Sequence, residues 1–156
     1  MTASLTNVLY KILAADVELI LVGGLAAVAQ GAPVTTFDVD IVHRRSVENV
    51  DKLMSVLANI HAYVREPTER RLPPSSTALC GPGHQLLMTD DGPLDCLGTI
   101  EEGLDYETLL PQTIEISLWG RSLRVASLAT LVRLKEQWPD EESRLRAMIL
   151  RRTLEG

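Results

Sequence analysis

Two aspartates separated by one residue, Asp38 and Asp40, have the spacing in this sequence that points most directly to chemistry. The residues around them predict a β-strand, whose side chains alternate between two faces, so both carboxylates share one face. Phe37, Val39 and Ile41 then point to the opposite face and are expected to enter the core. Carboxylates about 7 Å apart repel each other, which raises the pKa of at least one unless a cation lies between them. The pattern indicates a site for a hard divalent cation, Mg²⁺ or Mn²⁺, that leaves room for phosphates.

A pair of glycines, Gly23 and Gly24, lies one element upstream of the aspartates. It follows the apolar run Leu19–Val22, which predicts a strand, and it precedes small residues at 25–30, which predict a short helix. Glycine lets backbone N–H groups approach a ligand, and the N-terminus of a helix favours anions. A glycine pair alone is more often just a tight turn, and Asp-x-Asp is common on surface strands. The two features at this spacing are far more specific, and they indicate a phosphate-binding turn beside a metal-binding carboxylate pair.

The glycine pair, the short helix and the Thr-x-Asp-x-Asp segment from Thr36 to Asp40 resemble the signature of the nucleotidyltransferase superfamily that includes DNA polymerase β. The chain looks most similar to the small bacterial nucleotidyltransferases related to abortive-infection and toxin–antitoxin toxins. The resemblance implies an α/β (α+β) fold, with a small, mixed, twisted β-sheet flanked by helices. It also implies that Gly23 and Gly24 hold a triphosphate, that Asp38 and Asp40 bind Mg²⁺, and that Thr36 supports the strand.

Asp95 is the candidate for a third carboxylate. It lies within the apolar second strand of a predicted hairpin, formed by residues 85–89 and 93–97 around the turn sequence at 90–92. A charged residue in such a strand needs an explanation, because burying a charge without a partner is costly. The resemblance supplies one, since the third carboxylate of the family lies on a later strand beside the first two. Asp38, Asp40 and Asp95 are therefore the expected catalytic and metal-binding residues.

Lys135 is the candidate cation. A helix is predicted from Leu128 to Trp138, capped by Ser127, with Trp138 on its core side and Lys135 at the border of that side. An exposed lysine usually serves only solvation, but by resemblance this one reaches the phosphates of the nucleotide. Asp140 is the best candidate for a fourth functional carboxylate.

The rest of the chain predicts further elements without an obvious chemical role. They are an amphipathic helix over residues 5–13, a helix from Ser46 to about Asn59, a short strand at 62–65, a short helix at 102–110, a second hairpin at 113–118 and 122–125, and a last helix at 143–154. Residues 66–83 have no clear period and predict a long loop that is either functional or a connector. Arg65, Arg70 and Arg71 make this loop locally basic.

The other polar residues are explained by solvation or by a structural role. Arg44 and Arg45 are expected at a solvated strand end, although one of them could neutralise a phosphate. His84 lacks a partner at metal-ligand spacing, which favours a structural or rim position. The charges of the last helix have a structural explanation, because acidic residues precede it and its final arginines suit the negative end of the helix dipole; its arginines are Arg144, Arg146, Arg151 and Arg152.

The totals set bounds on the kind of protein. The 156 residues predict a single domain spanning 1–156. The net charge of −6 argues against strong non-specific binding to nucleic acid. No apolar run is long enough to span a membrane, and no secretion signal is evident, so a cytoplasmic location is expected. Cys80 and Cys96 are too few for a disulfide framework, and they predict reduced thiols.

The expected function is Mg²⁺-dependent transfer of a nucleoside monophosphate from an NTP to an acceptor hydroxyl, with release of pyrophosphate. The acceptor stays open between RNA such as tRNA, a protein and a small molecule. The alternative is a binding module with weak or no catalysis, such as a regulatory or toxin–antitoxin partner with a cognate antitoxin. Many family members have Ser, His and Arg where this chain has Gly24, Gln30 and Val34, which favours the alternative. The three carboxylates argue against it, because an unused cluster of charges is costly.

Overall fold

A computed structural model describes residues 4–65 and 70–156. Within these residues, strands are assigned at β1 (Leu19–Val22), β2 (Val39–His43), β3 (Tyr63–Val64), β4 (His84–Thr89), β5 (Gly92–Leu97), β6 (Thr113–Leu118) and β7 (Arg121–Ala126). They form one seven-stranded sheet in the order β3-β4-β5-β2-β1-β7-β6. The pairs β1–β7 and β2–β5 are parallel and the others are antiparallel, so the sheet is mixed, as expected.

Helices connect and cover the strands. They are α1 (Leu5–Ala14), α2 (Gly23–Ala29), α3 (Val47–Asn59), α4 (Ser76–Leu79), α5 (Tyr106–Leu109), α6 (Leu128–Glu136) and α7 (Glu141–Glu155), with 3₁₀ turns at Glu101–Gly103 and Leu110–Gln112. The predicted caps are confirmed, because the hydroxyls of Ser46 and Ser127 accept backbone N–H groups of the first turns of α3 and α6. In the described part of the chain, no helix has the length and apolar character needed to cross a membrane.

The core lies against the central strands. Every residue of β1 is buried, and Val39 and Ile41 of β2 have no exposed surface. Such continuous burial is expected of strands at the centre of a sheet that are covered on both faces. Helices α1 and α3 supply apolar side chains such as Ile12 and Leu53, which are also fully buried. The buried centre of the molecule therefore includes β1, which leads into the glycine turn, and β2, which carries Asp40.

Some predictions at element ends were wrong. Phe37 is 78% exposed, because β2 begins only at Val39 and the residues before it leave the strand geometry. Trp138 is 48% exposed, because α6 ends at Glu136 and the indole Nε1 donates to Glu101 at 2.9 Å instead of packing inward.

The predicted loop at 66–83 and the predicted short helix at 25–30 also need correction. Residues 66–69 lie outside the described residues, whereas residues 76–79 of that loop form α4, capped by the Ser75 hydroxyl. Helix α2 begins at Gly23 itself, so both glycines belong to its first turn. The two glycines are therefore part of the strand-to-helix junction at the end of β1.

Candidate functional site

Three aspartates converge at the end of the central strands. In the parallel pair β2–β5, Asp40 is directly opposite Asp95, and Asp38 lies one residue before β2. One carboxylate oxygen from each of Asp38, Asp40 and Asp95 lies within 4.8 Å of the other two. The register of the sheet thus brings Asp40 beside Asp95, although 55 positions separate them in the chain. The prediction that the strand also carries Asp38 was wrong, because β2 begins at Val39, but Asp38 still reaches the other two carboxylates from the residue before the strand.

The electrostatics of this triad disfavour three negative charges. Burial, followed by the charge of Asp38, raises the pKa of Asp40 to about 8. Burial, followed by the charge of Asp95, also raises the pKa of Asp38. Oxygen ligands at this separation and of this charge fit a divalent cation such as Mg²⁺, which would stabilise the ionised carboxylates. Asp38, Asp40 and Asp95 would hold that cation.

Arg65 is a neighbour of the triad that was not among the predicted site residues. Its Nη2 donates to Asp95 Oδ1 at 2.9 Å, and its Nη1 donates to the carbonyl oxygen of Leu87 at 2.7 Å. Its positive charge lowers the pKa of Asp38 and of Asp40, but burial and repulsion outweigh it. The pairing could not be read from the sequence, because the two partners are 30 positions apart and meet only through the pairing of β3 with β4.

The glycine turn is packed against the triad. Gly23 has a φ of +72°, and a Cβ built there would lie 2.2 Å from Asp40 Oδ2. A Cβ on Gly24 would lie 2.8 Å from Thr36 Oγ1. No side chain caps the N-terminus of α2, which leaves its first backbone N–H groups for other partners. The residue at position 23 must therefore be glycine for both conformational and spatial reasons.

Thr36 lies between the glycine turn and the triad. Its hydroxyl donates to the carbonyl oxygen of Asp38 at 3.3 Å, so it holds the segment that enters β2. The same hydroxyl occupies the space beside Gly24 that a side chain there would need. This contact explains locally why position 24 is glycine, and a role for Thr36 in the site stays a prediction.

These residues line one cleft of about 580 Å³. The sheet side contributes the triad, and the helix side contributes Lys135 from the end of α6. Every predicted site residue therefore reaches the same cleft; they are Gly23, Gly24, Thr36, Asp38, Asp40, Asp95 and Lys135. Phe37, expected in the core, also lines the cleft.

Helix α7 closes the cleft with residues that were given other roles. Asp140 lines it, but its carboxylate accepts the backbone N–H of Ser143 at 2.9 Å, and this bond lowers its pKa, as a helix cap does. Arg146 was expected only as a residue of the last helix without a role in the site, but it is half-buried in the cleft and its Nη2 donates to the carbonyl oxygen of Thr35 at 3.2 Å. The position of Arg146 in the cleft depends on the packing of α7 on α6, which the sequence alone does not show.

Other polar residues lie away from the triad or serve packing. Arg44 pairs with two surface glutamates and Arg45 with Asp105, which agrees with the solvated strand end. His84 lies at the rim, with its Nε2 2.7 Å from the carbonyl oxygen of Thr99. Gln30 joins α2 to α6, because its amide donates to Ala126 and accepts from Leu128. Gln30 is therefore a structural residue in this chain.

Neither a protein-family model nor a curated protein sequence matches the chain. Solved structures do match it. One is a crystal structure of ANT(2'')-Ia in complex with adenylyl-2''-tobramycin, with a TM-score of 0.59, 20% identity, and coverage of 96% of this chain and 88% of that one. Another is the lincosamide antibiotic adenylyltransferase LnuA bound to lincomycin, with a TM-score of 0.63, 15% identity, and coverage of 97% and 98%.

The chain has the nucleotidyltransferase fold. A nucleotidyltransferase candidate from Thermotoga maritima agrees, with a TM-score of 0.54, 21% identity, and coverage of 96% of this chain and 92% of that one. At these identities the likeness concerns the fold, and the chemistry must be argued from the cleft itself.

Proposed function

We propose that this protein is a nucleotidyltransferase that moves a nucleoside monophosphate from an NTP to an acceptor hydroxyl. The observation that carries the proposal is the convergence of Asp38, Asp40 and Asp95 on one point beside a glycine turn. The cleft around them is large enough for a nucleotide. The nucleotidyltransferase fold makes this chemistry the first one to test.

In the reaction, the oxygen of the acceptor hydroxyl attacks the α-phosphorus of the NTP. The bond from that phosphorus to the bridging oxygen breaks, and pyrophosphate leaves with its electron pair. Mg²⁺ or Mn²⁺ bound to the triad would neutralise negative charge on the phosphate oxygens. The protein has little covalent chemistry to perform, so positioning and electrostatics supply the rate.

Each residue of the cleft has a role in this scheme. Asp38 and Asp40 would hold the cation, and Asp95 would complete the site and accept the proton of the acceptor hydroxyl. The backbone at Gly23 and Gly24 receives phosphate oxygens, and Lys135 adds a positive charge to them. The bond from Arg65 to Asp95 Oδ1 orients this carboxylate within the triad.

The acceptor is proposed to be a small molecule with a hydroxyl group. The support is twofold: structures with this fold are described with antibiotics, adenylyl-2''-tobramycin in one and lincomycin in the other, and the net charge of −6 disfavours a polyanion. RNA and protein acceptors are the other outcomes of the test. Labelling of no acceptor would instead point to the binding module, which would need the triad for binding alone.

The test is transfer of label from each α-labelled NTP, with Mg²⁺, to a cell extract that is separated afterwards into small molecules, RNA and protein. Asp95→Asn is expected to fold normally and to lose transfer by a hundredfold or more, on the order expected for lost stabilisation of transition-state charge. Asp51→Asn, an exposed change of the same type on α3, is the matched control and should transfer like the wild type. Equal labelling by wild type and Asp95→Asn would refute the catalytic role, and no labelling with any NTP would refute the activity.

A further inference from the structure

The cleft holds many more acidic than basic side chains among its described lining residues. The acidic ones are Asp38, Asp40, Asp95, Glu101, Asp140 and Glu142, and the basic ones are Lys135 and Arg146. A triphosphate adds several more negative charges to this surrounding. Each cationic side chain that can reach the triphosphate therefore matters for its binding, because Lys135 alone would neutralise little of this negative charge.

Arg146 differs from most arginines of the surface. Arg44, Arg133 and Arg151 each pair with a glutamate. Within the described ranges 4–65 and 70–156, Arg146 has no carboxylate at ion-pair distance, although it is half-buried. Half-burial of a guanidinium that has no counter-ion in the protein becomes favourable when an anionic ligand binds beside it.

The position of this guanidinium is fixed over the glycine turn. Its Nη2 donates to the carbonyl oxygen of Thr35 at 3.2 Å, and its Nη1 lies 3.4 Å from the place that a Cβ on Gly24 would occupy. The bond to Thr35 uses one of the five N–H groups of the guanidinium, so the others stay available to a ligand. The planar group can thus offer two parallel N–H donors to phosphate oxygens.

The space beside Gly24 explains why a cation from another element is needed. Thr36 fills the volume that a side chain at position 24 would take, so position 24 offers a ligand only its backbone. Asp40 fills the corresponding volume at Gly23. Positive charge at this turn must come from across the cleft, and Arg146 of α7 is the cationic side chain that the structure places there.

We propose that Arg146 binds the triphosphate of the NTP directly, so that the C-terminal helix forms one wall of the nucleotide site. This inference rests on the proposed function, because it assigns a residue to the same cleft. It predicts that Arg146 recognises the phosphate chain and leaves the base and the sugar to other residues.

The test is calorimetric titration of the four NTPs, the corresponding NMPs and inorganic tripolyphosphate, all with Mg²⁺, into wild type, Arg146→Ala and Arg146→Lys. Loss of a charge-assisted, bidentate contact is expected to weaken NTP and tripolyphosphate binding by tenfold or more in Arg146→Ala. Arg146→Lys should recover part of that loss, since it keeps the charge without the planar fork. NMP binding should change less.

Arg144→Ala is the matched control, because Arg144 lies two residues earlier on α7, is exposed and does not line the cleft. It should bind NTP like the wild type, and circular dichroism should show that each variant is folded. If Arg146→Lys and Arg146→Ala both bind NTP and tripolyphosphate like the wild type, the inference is wrong while the proposed function stands. If the wild type binds no NTP and no tripolyphosphate, the proposed function itself fails and the inference with it.

Discussion

The two walls of the cleft differ in how their charges are held. On the sheet wall, Asp40 and Asp95 are fixed by backbone register, Asp38 lies just before β2, and the three carboxylates lie close together and repel each other. On the helix wall, Lys135 and Arg146 come from two helices whose packing sets their positions. The negatively charged wall therefore favours the binding of a metal ion, and the positively charged wall favours the binding of an anion. A metal–triphosphate complex is the kind of ligand that satisfies both walls at once.

The largest effect is expected from removing two carboxylates of the negative wall. Mg²⁺ or Mn²⁺ should raise the melting temperature of the wild type, because a ligand that binds only the folded state stabilises it by about 2.7 kcal/mol at a hundred times its Kd. Asp38→Asn together with Asp40→Asn should abolish this shift and should raise the stability of the metal-free protein at neutral pH. Thermal melts with and without the metal measure both effects. A metal-induced shift that survives in the double variant would show that the ion binds elsewhere.

The second prediction separates backbone strain from crowding at the turn. Gly23 and Gly31 both have positive φ, but a Cβ would meet Asp40 only at Gly23 and would have open space at Gly31. Gly31→Ala should therefore cost about 1 kcal/mol of unfolding free energy, and Gly23→Ala should cost about 2–3 kcal/mol. Urea unfolding measures this difference. The close contact also argues that a valine at position 23 would disturb the fold as well as the nucleotide.

The metal-induced stabilisation provides a second comparison of the variants at Gly23 and Gly31. Gly23→Ala should also weaken the metal-induced shift, because the new side chain displaces the Asp40 carboxylate, whereas Gly31→Ala should leave the shift unchanged. Equal unfolding costs and equal metal responses for the two variants would mean that Gly23 is not packed against the triad.

The third prediction is a pH dependence of the metal-free protein. The pKa of Asp40 is raised in the folded state to about 8 from an ordinary value of 3.8. The folded state thus binds more protons than the unfolded state between these values, so stability from this group is full below about pH 4 and is lost as the pH rises to about 8. Asp40→Asn should flatten the profile of unfolding free energy over this window. A wild-type profile that rises across the window would contradict a raised pKa of Asp40, which burial causes first and the charge of Asp38 second.

The smallest expected effect concerns the cation that already sits on the negative wall. Arg65→Gln removes the charge next to Asp95 and keeps hydrogen-bonding capacity towards Leu87. It should lower the stability of the metal-free protein by about 1 kcal/mol and should strengthen Mn²⁺ binding severalfold, because one carboxylate oxygen is released. Titration of Mn²⁺ by calorimetry measures the affinity. Weaker Mn²⁺ binding in this variant would mean that Arg65 supports the metal site.

The same contrast between the walls explains what the sequence could and could not predict. Strand alternation and a glycine turn are local patterns, so Asp40 and the strand-to-helix junction could be predicted from a few residues, whereas Asp38 lies just before the strand and reaches the site without the predicted alternation. Asp95 was found through a resemblance, because nothing local says that β5 lies beside β2. Arg65 and Arg146 were missed, since their approach to the cleft depends on contacts with residues far away in the chain.

The errors follow the same logic. Phe37 and Trp138 lie beyond the ends of elements, where the alternation or the helical period no longer applies, and both are exposed. The closeness to toxin–antitoxin toxins, a cognate antitoxin, the single domain over 1–156 and the cytoplasmic location stay predictions. None of them is a property that the geometry of the cleft decides.

The most direct test of the central claim is a crystal structure of the protein soaked with Mn²⁺ and a non-hydrolysable NTP analogue. The anomalous signal of manganese locates the ion independently of the nucleotide density. We predict a peak within about 2–2.5 Å of carboxylate oxygens from Asp38 and Asp40, with the triphosphate in contact with the backbone at Gly23 and Gly24 and with the guanidinium of Arg146. A manganese peak away from these carboxylates, or a triphosphate bound outside the cleft, would contradict the account.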